Sequence, residues 1–128
     1  MLKNGTGTIK YYYQNKALNG ASDYLGANLH GKVEWYYPDG SIMSKGERFN
    51  DEKVGTWTYY HKNGKISSTG KYVDGLEEGE WIWYYENGEI EVKKTFRFGN
   101  TEGVRYAYYD NGKIQSEINF FNDETIDL

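Results

Sequence analysis

Apolar and polar positions along this chain recur with a period of 24 residues. Glycines at Gly7, Gly31, Gly55, Gly79 and Gly103 open the units, and no insertion or deletion interrupts the step. Inside each unit, large side chains alternate with polar ones: Ile9 and Tyr11, Val33 and Trp35, Trp57 and Tyr59, Trp81 and Trp83. Alternation of period two predicts strands that bury one face. Five places after every opening glycine stands a tyrosine, at Tyr12, Tyr36, Tyr60, Tyr84 and Tyr108. A second aromatic follows each time, at Tyr13, Tyr37, His61, Tyr85 and Tyr109.

Next come Asp39-Gly40, Asn63-Gly64, Asn87-Gly88 and Asn111-Gly112, with Asn15-Lys16 in the first unit. These dipeptides accept positive φ and suit a two-residue type I′ turn, so each unit reads as a hairpin. Leu18, Ile42, Ile66, Ile90 and Ile114 stand two places beyond the turns. A two-residue turn sets Tyr37 opposite Ile42 and continues the register inward. Ser44 and Gly46, then Ser68 and Gly70, become small partners beneath large rings on one apolar face. Tyr24, Tyr72, Phe96 and Phe120 join that face by parity. Arg48 breaks the series, and a bulge would let Phe49 take its place.

The other face carries residues such as Lys32, Glu34, Lys45 and Glu47, with the five-fold tyrosine as its exception. Two-stranded units would space these tyrosines about 10 Å apart. A bulge near the turn would exchange the two faces. Leu18-Asn19-Gly20-Ala21-Ser22 is weak strand material, as expected of a terminal unit. Asn50 to Lys53, Asp74 to Glu78 and Gly99 to Glu102 read as links, and Asp123 to Leu128 as an acidic tail. A period of this length denotes stacked supersecondary units. The expected fold is all-β: a single repeat domain over residues 1–128, an antiparallel meander of about five 24-residue hairpins in about ten strands. The sheet is expected to be elongated, twisted or curled. No helical period is present, and Pro38 lies beside a turn, where its missing N–H does least harm.

Units of the form Gly55-Thr-Trp57-Thr-Tyr59-Tyr60-His-Lys-Asn63-Gly64-Lys-Ile66 and Gly79-Glu-Trp81-Ile-Trp83-Tyr84-Tyr85-Glu-Asn87-Gly88-Glu-Ile90 resemble MORN-repeat variants of the bacterial, YwqK antitoxin type. The resemblance runs along the whole chain, more weakly in the first unit. It implies a β-hairpin array used for binding proteins or membranes, and in some bacterial operons a toxin-neutralising protein.

Composition narrows the chemistry. Mean hydropathy is −0.89, yet aromatics make up 18% of residues, so burial must come from rings more than from aliphatic side chains. The absence of cysteine removes disulfides, thiol catalysis and thiolate zinc sites, and fits a reducing or an oxidising compartment. His30, in a link, and His61, in a hairpin, are the side chains that titrate near neutrality, and no second histidine stands at repeat spacing to share a metal. The acidic links lack the alternating oxygen spacing of a calcium loop. Each glycine is accounted for by the repeat, leaving no phosphate loop, and no serine elbow occurs. Asn4-Gly5-Thr6 matches a glycosylation acceptor in form alone. No catalytic residue, metal or cofactor is therefore assigned.

A net charge of −4 and a pI near 5.2 oppose nucleic acid and anionic membranes as partners. No apolar run approaches a membrane span and the first residues carry no signal core; the compartment stays open, with the cytoplasm expected for the sequence as given and the envelope or exterior if an upstream signal was removed. The leading expectation is a non-enzymatic protein-interaction module. Tyr36, Tyr60, Tyr84, Tyr108, Trp57, Trp81 and Trp83 are its candidate contact residues, because Tyr and Trp dominate interface energetics. Alternatives are an antitoxin that neutralises a partner toxin, and a cell-envelope binder of carbohydrate or lipid. A homodimer through a sheet edge or the aromatic face fits the same surface.

Overall fold

A computed structural model of the chain describes residues 6–14, 16–25 and 28–126. Their strands are β1 (Thr6–Tyr12), β2 (Leu18–Leu25), β3 (Asn28–Tyr36), β4 (Ile42–Phe49), β5 (Glu52–Tyr60), β6 (Ile66–Val73), β7 (Leu76–Tyr84), β8 (Ile90–Arg97), β9 (Asn100–Tyr108), β10 (Ile114–Phe121) and β11 (Glu124–Ile126). All lie in one sheet in sequence order, every neighbour antiparallel. This is the expected meander. It holds eleven strands among the described residues, because Glu124–Ile126 of the presumed tail pairs with Asn119–Phe121.

The turns correct the sequence reading. At Asp39-Gly40, Asn63-Gly64, Asn87-Gly88 and Asn111-Gly112 only the glycine has positive φ, 90° at Gly40 and 87° at Gly64. Gly40 N–H donates to Tyr37 O, and Tyr37 N–H donates to Ser41 O, so Pro38-Asp39-Gly40 forms a three-residue loop: a type I turn ended by a left-handed glycine. Lys16, at φ 71°, fills that place in the first unit. The two-residue turns with both φ positive lie in the links, at Asn50-Asp51, Asp74-Gly75, Phe98-Gly99 and Asn122-Asp123. The links are shorter than read, and β5, β7 and β9 begin directly after them.

The longer hairpin loop shifts the register locally. Tyr36, not Tyr37, lies opposite Ile42; then Met43 bulges, and Trp35 pairs with Ser44 and Val33 with Gly46. The inner pairs expected from the sequence therefore hold, while the pair next to the turn does not. Leu18 to Ser22 does form strand, and His30 belongs to β3 rather than to a link. The side chains of Tyr24 and His30 fall outside the described residues, as do Met1 to Gly5, Asn15, Asp127 and Leu128.

Burial is achieved in a single layer. A second bulge recurs at the opening glycines: Lys45 pairs with Thr58 and Glu47 with Val54, so Gly46 faces Gly55, Thr56 and Trp57 together. Gly55, Gly79 and Gly103 take φ of 67°, 76° and 80° there, which other residues adopt at a cost. The bulge lays Trp57 flat on Gly46: a Cβ at Gly46 would sit 2.1 Å from Trp57 Cδ2. Trp57 Nε1–H donates to Glu47 O at 2.9 Å. Trp81 repeats this on Gly70, donating to Lys71 O at 3.1 Å. Only 1% of Trp57 and 3% of Trp81 remain exposed. Burying one such ring removes about 200 Å² from water, an upper estimate of about 5 kcal/mol.

Tyr72 packs edge-on between the two indoles, 6.2 Å from Trp57 and 5.0 Å from Trp81, and Phe96 continues the row. Arg48 keeps its place in that row by lying 5.8 Å over Trp57, and Phe49 stays on the surface. Ser22, Ser44 and Ser68 are buried on the face of the rings. At the link end the turns bond to one another, Gly75 N–H to Lys53 O and Gly99 N–H to Glu77 O, each at 3.0 Å.

Two substitutions test this packing. Gly70→Ala drives a methyl into the Trp81 ring and is expected to destabilise the chain by about 1–3 kcal/mol in urea unfolding. Phe98→Asn relieves a bulky residue held at φ 51° and largely exposed, and is expected to raise stability by about 1 kcal/mol.

Candidate functional site

The bulge beyond each hairpin turn decides what the polar face presents. Because Tyr36 pairs with Ile42, Tyr60 with Ile66, Tyr84 with Ile90 and Tyr108 with Ile114, each isoleucine shares the side of its tyrosine. Tyr12 and Leu18 extend the row. An apolar stripe of one side chain per strand thus crosses the sheet near its hairpin end. Ile114 is 54% exposed and Ile66 39%; Tyr36, Tyr60, Tyr84, Tyr108, Ile42 and Ile90 are half-buried.

The tyrosines are held by neighbours on their own face. Tyr36 Oη–H donates to Glu34 Oε2, and this bond, with burial and the Glu34 charge, holds the phenol above its ordinary pKa. Lys45 Nζ lies 5.9 Å over Tyr60, and Tyr108 stacks on Tyr106 at 6.4 Å. The backbone beneath is stapled by the second aromatic of each unit. Tyr13 Oη–H donates to Tyr36 O, Tyr37 to Tyr60 O and Tyr85 to Tyr108 O, at 2.6, 2.6 and 2.7 Å. His61 Nε2 makes the equivalent bond to Tyr84 O at 2.8 Å, which requires its proton on Nε2. Asn63 and Asn87 add side-chain bonds from one turn to the next.

Beside the stripe lies a shallow depression lined by Lys32, Glu34, Lys45, Glu47, Thr56 and Thr58. Lys32 is paired with Glu47 and Glu34 with Lys45, so the walls alternate in sign. Among the described residues no group of three or more His, Asp or Glu side chains is placed to hold a metal ion. No helix of the described residues is long and apolar enough to cross a membrane.

Of the residues singled out in the sequence, the four tyrosines share one face and the tryptophans the other. Trp57 and Trp81 are buried in packing; Trp83 is half-buried, 6.0 Å from Trp81 and 6.3 Å from Phe96. Sequence reasoning missed Ile42, Ile66, Ile90 and Ile114 as members of the tyrosine face. The signal was present: Pro38-Asp39-Gly40 is the composition of a type I turn with proline at its first central position.

The sequence model of the family described as MORN repeat variant matches residues 29–50, 53–74, 77–97 and 101–122. Each match runs from one link to the next and so covers one hairpin. No curated protein matches the chain.

His61→Phe deletes the bond to the Tyr84 carbonyl while retaining a ring of similar bulk, and should cost about 1 kcal/mol in urea unfolding. His61→Tyr restores the residue used by the sister units and should recover that loss.

Proposed function

The chain belongs to the MORN repeat variant family, and from that premise we propose that it is a non-enzymatic module whose tyrosine and isoleucine stripe binds a protein partner. MORN repeats suggest a module for contacts with proteins or membranes. The observation that carries the protein reading is the stripe itself: a continuous apolar row on a face whose other positions are mostly polar. Such patches on a soluble surface mark interaction sites, and tyrosine supplies large, rigid contact area with a polar tip.

The surroundings favour protein over lipid. Glu34 and Lys45 border the row on one side, Asp39, Glu86 and Asp110 stand in the turns on the other, and the net charge is −4. An anionic bilayer would be repelled, whereas a protein surface can match mixed charge residue by residue. The stripe is flat and extended, with about 4.8 Å between successive side chains, which suits a broad interface rather than a small molecule.

Tyr60→Ala with Tyr84→Ala is expected to weaken binding of an identified partner by about 10- to 100-fold in calorimetry while the unfolding midpoint stays close to that of the parent. A large loss of stability with unchanged affinity would return both residues to the core and remove the proposal. Growth restored by co-expression would identify such a partner as a toxin.

A further inference from the structure

The opposite, aromatic face carries a charge pattern that the packing of rings does not require. Arg48 and Lys53 are direct cross-strand partners, and like charges in that relation destabilise a sheet. At the same register the later repeats set Tyr72 opposite Glu77, Phe96 opposite Thr101 and Phe120 opposite Thr125. A second cation pair, Lys94 and Arg105, occupies the places where earlier repeats have Gly46 with Trp57 and Gly70 with Trp81. Burial holds the Lys94 ammonium below its ordinary pKa, Arg105 adds to this, and Asp123 and Glu77 oppose it.

Rings hold these cations. Lys53 Nζ lies 4.9 Å from the Trp57 ring and 5.2 Å from that of Tyr72, and donates to Tyr59 Oη at 3.0 Å. Lys94 Nζ lies 4.6 Å from Phe96 and 5.4 Å from Trp83. A cation over a ring is attracted by the ring face and keeps its positive charge. The strands of this face thus set four cations against one carboxylate, Glu77, with Asp51 and Asp123 in the adjoining links, on a chain whose net charge is −4; Arg48 Nη1–H donates to the backbone oxygen of Asp51 at 2.7 Å. The two pairs straddle β4–β5 and β8–β9, about 19 Å apart at four strand spacings. The half-buried rings of Tyr72 and Trp83 lie between them, each packed on the buried Trp81. An extended polypeptide spans that distance in about six residues.

We propose that this face binds an acidic, extended segment of a partner protein laid across the strands. One carboxylate meets Arg48 and Lys53, another about six residues on meets Lys94 and Arg105, and apolar side chains between them rest on the rings. Binding relieves the like-charge repulsion built into each pair. This surface is separate from the tyrosine and isoleucine stripe, so either can fail without the other.

The probe is a synthetic peptide of alternating leucine and serine with two glutamates six positions apart, compared with a twin carrying glutamines, titrated into the full chain by tryptophan fluorescence. The glutamate peptide should bind about 10-fold more tightly at low salt, and the advantage should shrink as ionic strength rises. Lys53→Gln and Lys94→Gln should each lower affinity about 5-fold, and the double variant, still folded by circular dichroism, should reach the level of the twin. Arg105→Gln provides the same reading if Lys53→Gln proves unstable. Tyr60→Ala with Tyr84→Ala should leave peptide binding unchanged. Equal binding of the two peptides, full affinity in the double variant, or capture by phosphatidylserine vesicles without peptide binding would overturn the proposal, the last by assigning the cations to a lipid surface.

Discussion

A one-layer sheet has no second sheet or helix to cover its apolar side, and this chain meets that constraint by laying tryptophan on glycine. Trp57 on Gly46 and Trp81 on Gly70 bury an indole within the thickness of a single layer. The geometry depends on both residues: the bulge at the opening glycine turns the ring down, and the missing Cβ of the neighbouring strand makes room. Carbonyls of Glu47 and Lys71 take the indole N–H groups, so neither buried indole donor is orphaned. Tyr72 and the stems of Arg48 and Lys53 then close over the rings, an example of long cationic side chains serving as apolar cover.

The two recurring bulges divide the labour between faces. The one at the opening glycines builds the core, and the one beyond the hairpin turn moves each isoleucine to the tyrosine side. Both repeat with the unit, so whatever they create is repeated too: a core without a cover on one side, an apolar row on the other. The staples from Tyr13, Tyr37, His61 and Tyr85 connect them mechanically, since each fixes the carbonyl of the tyrosine that the next unit displays.

The cadence of Gly55, Trp57, Tyr60 and Asn63-Gly64 made the strands, the meander and the inner register legible, because period and parity survive any local irregularity that repeats. What parity could not convey was the length of the turn. Asn-Gly was read as a two-residue loop, yet Pro38 and its counterparts belong to the turn, and that one residue moves Ile42 from Tyr37 to Tyr36. Type I′ geometry lies instead at Asn50-Asp51 and even Phe98-Gly99, where composition gives little warning. Large rings above Gly46 and Gly70 were legible, but not that Trp57 covers Gly46 of the preceding hairpin rather than Gly70, its partner within its own, because the bulge between hairpins decides it.

A stripe that repeats faithfully poses a problem of its own: a partner could slide by one unit, about 10 Å, and find the same tyrosines and isoleucines. The adjoining row on that face removes the degeneracy. Glu34 pairs with Lys45, Thr58 with Thr69, Ile82 with Lys93 and Tyr106 with Glu117, so the four full hairpins present four different chemistries beside identical Tyr–Ile pairs. A displaced partner would exchange opposite charges for hydroxyls, or an isoleucine for a tyrosine, and desolvate groups it does not match. On this reading the invariant row supplies contact area and the variable row supplies position. The same division, constant residues for the layer and departures from the repeat for recognition, is what sets Arg48, Lys53, Lys94 and Arg105 apart on the other face.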